Sequence, residues 1–472
     1  MSLKDNTYQN KKFRENLKKF EEAQSLGKSV YLEPEEITDI AGYYYVLGNV
    51  GKAISTIEYA IRMFPGALSP LVYRARIALL AENDPVKADE FAEMISDKSD
   101  LDYFFIKAEI MISDSRIDEA DTYLKEVYEQ LDDTDKADFV IDTAMLYADY
   151  EIVDKAQEWL DLSTEYEASD YQELQGRIEM FKGNFDESER IFNRLIDTNP
   201  YSALYWNHLA SSQFLHNDIQ ESIKSSEFSL AINPDDDEAL LNKANGLFKL
   251  GNFVEAEKCY RRFIETCPGD EMGEMYLGIT LLNQNKLNEG LVHLLKAEQL
   301  SPVGSKNLRD IYIELIYTLS SLHRYDECQK YITLFEQLEE TSKDEAYVLR
   351  GHVHLLRGNM QEAVKLFQQA IESSHGAPDI FLRIGISVYD CGYFDLSYKM
   401  FHTLFSVVDD EWKDGWSYLA LCCKELGKNE EYVDAVRRAC ELNPDEARLV
   451  LGDFFPPTLS PEQYVDYILH QK

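Results

Sequence analysis

Positive charge is scarce in this chain. Of its 472 residues, 47 are Lys or Arg and 86 are Asp or Glu, a formal net charge of −39. Neutralising phosphate needs clustered cations, so nucleic acid is disfavoured as a partner, and so is an anionic membrane surface. Long apolar runs are missing as well. Nothing reaches about 18 uninterrupted apolar residues, and residues 1–30 have no apolar core of the kind a secretory leader needs. A soluble, cytoplasmic protein is expected. Cysteine is sparse and ungrouped: Cys259, Cys267, Cys328, Cys391, Cys422, Cys423 and Cys440 form no Cys-x-x-Cys pair. Reduced, mostly buried thiols are expected, and no structural zinc.

Catalytic motifs are lacking too. The nearest approach to a phosphate loop, Gly48-Asn49-Val50-Gly51-Lys52-Ala53, has the wrong spacing and no hydroxyl after the lysine. His352 and His354 are two apart on an expected helix and point to different sides, so they do not share a metal. Asp235-Asp236-Asp237-Glu238 lacks the spacing and glycine of a calcium loop and reads as a helix start, where acids are favourable. No catalytic residue, metal or cofactor is assigned, and the chain is read as a non-enzyme.

What is present is a repeat. Pro200, Pro234, Pro268 and Pro302 are each 34 residues apart, and internal periods of this size come from stacked supersecondary units. With proline at position 32, twelve units begin near 34, 69, 101, 137, 169, 203, 237, 271, 309, 344, 378 and 413. Position 8 is small in ten of them, from Ala41 to Ala420, with Arg76 and Ile316 as exceptions. Position 20 is small in all but one, where Tyr432 stands. Two helices approach to about 8–10 Å only where crossing side chains are small. Position 24 supplies the filling, with residues such as Ile57, Phe192, Leu294 and Phe401. Position 15 is Gly or Asn in nine units, the residues that most cheaply take the left-handed conformation ending a helix. Proline then closes the second helix. Each unit therefore reads helix, tight turn, helix, loop.

This pattern resembles the tetratricopeptide repeat. The best matches are Trp206-Leu209-Ala210 with Pro234, Leu240-Ala244-Leu247-Ala256-Tyr260-Pro268, Leu277-Gly278-Ala297-Pro302 and Trp416-Leu419-Ala420-Ala439-Pro444. The resemblance spans residues 34–446 and implies an all-α, right-handed α-solenoid of about twelve antiparallel helix pairs. In place of the roughly three domains expected from length alone, we read one continuous stack. It comprises an N-terminal basic capping helix (1–33), units 1–4 (34–168), units 5–8 (169–308, the most regular), units 9–12 (309–446) and C-terminal capping helices (447–472). The long spacing at Ser301-Pro302-Val303-Gly304-Ser305 marks a candidate bend.

A solenoid needs capped ends. Phe13, Leu17 and Phe20 give residues 4–26 an apolar helical face. At the other end Ala447, Leu449, Val450 and Leu451 continue the stack as a half unit, and Phe454-Phe455-Pro456-Pro457 breaks it. Ser460-Pro461-Glu462-Gln463 then reads as a capped helix start, with Tyr464, Tyr467 and Ile468 on its apolar face. Self-association through these terminal helices is one expectation.

The resemblance also implies where binding occurs. Positions 2, 5, 6, 9, 12 and 13 of each first helix line the concave surface in this family. Carried over, the middle groove includes Arg177, Asn207, His208, Asn242, Asn245, Phe248, Lys249, Met275 and Tyr276. Asparagines there suit an extended peptide's amides, and the aromatics suit its side chains. The subtype that grips an acidic chaperone tail needs basic residues that Met272 and Tyr276 replace, so that clamp is not expected. Charge suggests the opposite partner. Residues 31–168 hold 32 acids against 11 bases, an acidic arm that would steer in a basic protein or peptide. The expected function is a protein-protein interaction scaffold or adaptor. A ligand-responsive regulatory sensor and an acidic chaperone for a basic client are the alternatives.

Overall fold

The computed structural model describes Tyr8 and residues 10–302, 304–338, 341–456 and 459–470. Most of residues 4–9 of the expected N-terminal helix, Val303 of the candidate bend and Pro457 of the C-terminal break lie outside the described residues. Among the described residues there are 27 α-helices and no strand. The first helices of the pairs start at residues 34, 68, 101, 133, 169, 203, 237, 271, 307, 343, 378 and 416, each within four residues of the start read from the repeat.

The chain forms two compact units, each an α-solenoid of helix pairs. The first comprises Met1–Gly246, Lys258–Gly273 and Leu300–Ser305; the second comprises Leu247–Glu257, Glu274–Gln299 and Lys306–Lys472. In both, the two small columns sit where paired helices cross. Ala41, Ala53, Ala108 and Ala120 are fully buried in the first unit. Where the column holds glycine, a ring from the paired helix takes the space. A Cβ on Gly176 would lie 2.7 Å from Phe192 Cζ, and one on Gly385 in the second unit 2.9 Å from Phe401 Cζ. Serine in the second column adds a bond. Ser188, Ser222 and Ser397 donate to the carbonyls of Gly176, Ala210 and Gly385, each twelve residues earlier, at 2.8–2.9 Å. These buried hydroxyls are thereby satisfied and tie one helix to the backbone of the other.

Arg76 corrects the sequence alignment. It does not stand at the helix crossing; Ala75 does, fully buried. The turn after this helix contains one extra residue. The Asp84 amide reaches back six residues to the Ala78 carbonyl, whereas the Asn49, Asn184 and Asp218 amides reach back five. That insertion shifts the first helix by one position and turns Arg76 away from the crossing, towards Glu109.

All nine Gly or Asn residues at position 15, from Gly48 to Gly427, have positive φ between 50° and 80°. Three pairs lack such a residue, and there Ser115, Glu151 and His323 take φ of 57–60°. A side chain pays a steric penalty in that region which glycine avoids. Glycine in turn loses more backbone entropy on folding. Ser115→Gly and Glu151→Gly are expected to stabilise the first unit by about 0.5–1 kcal/mol each, read as a rise in the urea midpoint. A fall would show that the serine or glutamate side chain holds the turn.

The terminal helices close the apolar ends of the units. Phe13 and Phe20 of the helix Lys11–Ser25 are buried, and Lys12 pairs with Glu36 at 2.7 Å. In the second unit Ser460 and Gln463 form the expected capping box, and Phe455 stacks on Tyr464 with centroids 3.8 Å apart. No helix among the described residues is long and apolar enough to cross a membrane.

Candidate binding surface

The nine residues singled out by the resemblance fall in both units. In the first, Arg177 pairs with Asp149 at 2.6 Å. The His208 ring lies against Phe192, with centroids 5.2 Å apart, and its Nε2 is 3.4 Å from Glu173. Asn207 is 2% exposed and donates through Nδ2 to Asp236 at 2.8 Å, bridging one pair to the next. Its Oδ1 is buried, with no hydrogen-bond partner among the described residues. Asn242 donates to Ser211 at 3.0 Å, and Asn245 accepts from the Tyr260 hydroxyl at 2.7 Å. His208 acts electrostatically on Glu238, which also lies 3.5 Å from Asn207, so these three side chains form one polar cluster. In the second unit Phe248 meets Phe253 edge-on at 5.4 Å, and Lys249 lies 3.4 Å from Asp445. Met275 is buried in a hydrophobic core, and the Tyr276 hydroxyl is pushed up by burial and by Asp310.

The four-acid run at 235–238 begins a helix as expected: Asp236 accepts from the Ala239 amide at 2.9 Å. Cys259, Cys267, Cys328, Cys422 and Cys423 are buried. Burial raises the Cys328 and Cys422 thiols to about 11 and the Cys423 thiol to about 12. These are inert thiols, not nucleophiles.

Several carboxyl groups are held above their ordinary values. In the first unit, desolvation raises Asp142, aided by Asp138 and Asp102, although its side chain still meets water, and burial raises Glu238. In the second unit burial, with Asp310, brings Glu314 to about 7. Desolvation by the surrounding helices brings Asp390 to about 6, although its side chain still meets water. Tyrosines accompany them. Tyr389 and Tyr418 meet edge-on at 6.0 Å, and Asp390 acts electrostatically on both and on Tyr317. Asp142, Glu238, Glu314 and Asp390 occupy positions 6, 2, 6 and 13 of their units. The position rule used for the middle groove therefore points to them once it is applied to every unit.

One feature of the first unit has no such signal. The Gly269 amide donates to the Val46 carbonyl at 2.9 Å, joining two segments more than two hundred residues apart. Beside this contact lies a cavity of about 360 Å³. Tyr45, Tyr73, Arg76, Asp237, Cys267 and Asp270 are among the residues that line it. The repeat describes each unit against its neighbour and says nothing of units a full winding apart.

Family models for the tetratricopeptide repeat match residues 238–270 and 344–374. The Protein CTR9 homolog of Arabidopsis thaliana is 22% identical over 296 residues, which are 59% of this chain and 26% of that protein. The chain thus spans about a quarter of that relative's length. Among solved structures, one reported for the functional characterization of pilF from Pseudomonas aeruginosa is 16% identical and has a TM-score of 0.39. The match covers 46% of this chain and 94% of that one. A chain of the APC/C hetero-tetramer Cut9-Hcn1 is 14% identical, covered to 89% against 99% of this chain, with a TM-score of 0.38.

Proposed function

We propose that this member of the tetratricopeptide repeat superfamily, a protein-interaction scaffold, holds an extended basic segment of a partner protein on the first-helix surfaces of its units. One observation carries the reading. Carboxylates at those positions are raised by desolvation and go without a cationic partner: Asp142, Glu314 and Asp390 form no ion pair among the described residues. A cation brought by a ligand would supply the missing counter-charge, and the neighbouring tyrosine faces favour the same sign. The net charge of −39 adds long-range attraction.

The test is fluorescence anisotropy with a Lys/Arg-rich extended peptide and its Gln-substituted counterpart, at low and at physiological salt. The basic peptide is expected to bind more tightly and to weaken as salt screens it. Glu314→Gln combined with Asp390→Asn in the second unit should weaken it by about tenfold, some 1.4 kcal/mol, and Asp142→Asn tests the first unit separately. The pH dependence has a fixed sign. Proton uptake removes negative charge, so affinity should hold at pH 8 and fall as pH drops through the raised values of about 7 for Glu314 and about 6 for Asp390. Equal affinity for the neutral peptide would overturn the proposal.

A further inference from the structure

The cavity of the first unit is a built site, not a gap between loose elements. Its edge is closed where the Gly269 amide meets the Val46 carbonyl. A Cβ on Gly269 would lie 2.5 Å from the Gly48 nitrogen, so only glycine permits this approach. Gly48 itself has φ of 73°, and a Cβ there would lie 3.0 Å from Gly269 Cα. The two glycines thus bring backbone against backbone and set the distance between the facing walls.

Those walls have two characters. Val46, Ile77, Leu80 and Phe263 make an apolar sleeve. Tyr45 and Tyr73 add aromatic rings, and Asp237 and Asp270 add carboxylates. Among the described residues that line the cavity, Arg76 is the one cation, and it is already paired. Its Nε lies 3.0 Å and its Nη2 2.6 Å from the carboxylate of Glu109. Asp237 accepts from the weak thiol donor of Cys267, at 3.2 Å. Asp270 caps the next helix, accepting from the Gly273 amide at 2.8 Å. Among the described residues the lining therefore holds two carboxylates and one cation that is already paired, together with tyrosine rings and apolar side chains.

We infer that this cavity takes one lysine or arginine side chain of the partner segment, its aliphatic stem along the sleeve and its cation between the tyrosine rings and the two aspartates. A long aliphatic chain ending in a cation matches both characters at once. A neutral apolar side chain would leave the carboxylates without a counter-charge, and an acidic one would be repelled. The volume falls in the range of small-ligand pockets, about 300–1,000 Å³. Burial, with Glu271 nearby, pushes the Asp270 carboxyl up.

This inference rests on the basic-partner reading, and its test separates the two. The direct probe is pentylammonium, compared with 1-pentanol, titrated into the full chain and followed by NMR. Pentylammonium should bind about tenfold more tightly than the alcohol. Asp270→Asn should abolish most of that preference. Asparagine keeps the helix cap while removing the charge, so folding is retained, and circular dichroism confirms it. Tyr73→Leu should weaken the ammonium more than the alcohol, because it removes a ring and keeps apolar volume. The peptide arm uses the Lys/Arg-rich peptide above. If it binds but pentylammonium shows no preference over pentanol, or if Asp270→Asn leaves the preference intact, the cavity assignment falls and the surface reading stands. If pentylammonium binds as expected and the peptide does not, the surface reading falls and the cavity remains a cation site.

Discussion

Trp159→Ala should destabilise the first unit by about 3–5 kcal/mol. The side chain is 1% exposed and lies at the centre of a core shared by several helices. Its ring meets Phe139 and Tyr128 edge-on, with centroids 6.0 and 5.9 Å away. Truncation loses this packing and opens a void the rigid neighbours cannot fill. It also removes a buried bond, because Nε1 donates to Asp121 Oδ1 at 2.9 Å. Asp121 is held by Lys125 at 2.8 Å and Lys155 at 2.9 Å. Burial alone would push its carboxyl up; these donors outweigh it and keep the group below its ordinary value. The sign of the linkage follows. The stabilisation is fully present above the unfolded carboxyl's titration and is lost as pH falls through the depressed folded value. Trp159→Phe separates the two contributions. It keeps most of the ring and loses the donor, and should cost about 1–2 kcal/mol. A stack of repeats need not unfold in one step, so hydrogen exchange at residues 117–160 is the decisive measurement. Equal losses for the two variants would mean that the hydrogen bond, not the packing, dominates.

The second large effect comes from adding atoms. Gly278→Leu in the second unit should cost more than about 3 kcal/mol, beyond the usual range for overpacking. Here both small columns are glycine, Gly278 and Gly290. A Cβ on Gly278 would lie 2.9 Å from Leu294 Cγ and 3.2 Å from the Gly290 carbonyl oxygen. A side chain can rotate away, but a helix backbone cannot, so the pair must separate. The control is Gly51→Ala on the helix Val50–Met63, where a Cβ would meet nothing within 4 Å. There the change should stabilise by about 0.5–1 kcal/mol, because alanine has less backbone entropy to lose. Thermal unfolding of the two variants checks both signs. If Gly278→Leu is tolerated without loss, the small columns are not the determinants of helix spacing.

The outcome at particular residues shows which kinds of information a repeat carries. Gly48, Asn83, Gly183 and the rest of the turn column could be read in advance, because a left-handed residue is a local demand met by few side chains. The Ser460–Gln463 capping box was legible for the same reason. Arg76 was misplaced because one extra residue in the turn before Asp84 has no compositional mark; only the reach of the Asp84 amide reveals it. Asn207 could be named as a candidate, but not its engagement with Asp236, since that depends on how one pair rotates against the next. Glu314 and Asp390 sat at readable positions. Their raised carboxyls could not be read, because desolvation is set by everything packed around them.

By itself the sequence determined the helix-pair repeat, its twelve starts to within four residues, the small columns at the crossings and the acidic character of the chain. These are properties of residues near one another along the chain, where periodicity and backbone preference act directly. The tertiary structure alone decided which side chains satisfy one another between pairs. It also decided that Gly269 meets Val46 and that Tyr45, Tyr73, Asp237 and Asp270 share one cavity. Such contacts arise from the summed small rotations of successive pairs. A shift of a single residue, as before Asp84, is enough to change which groups meet.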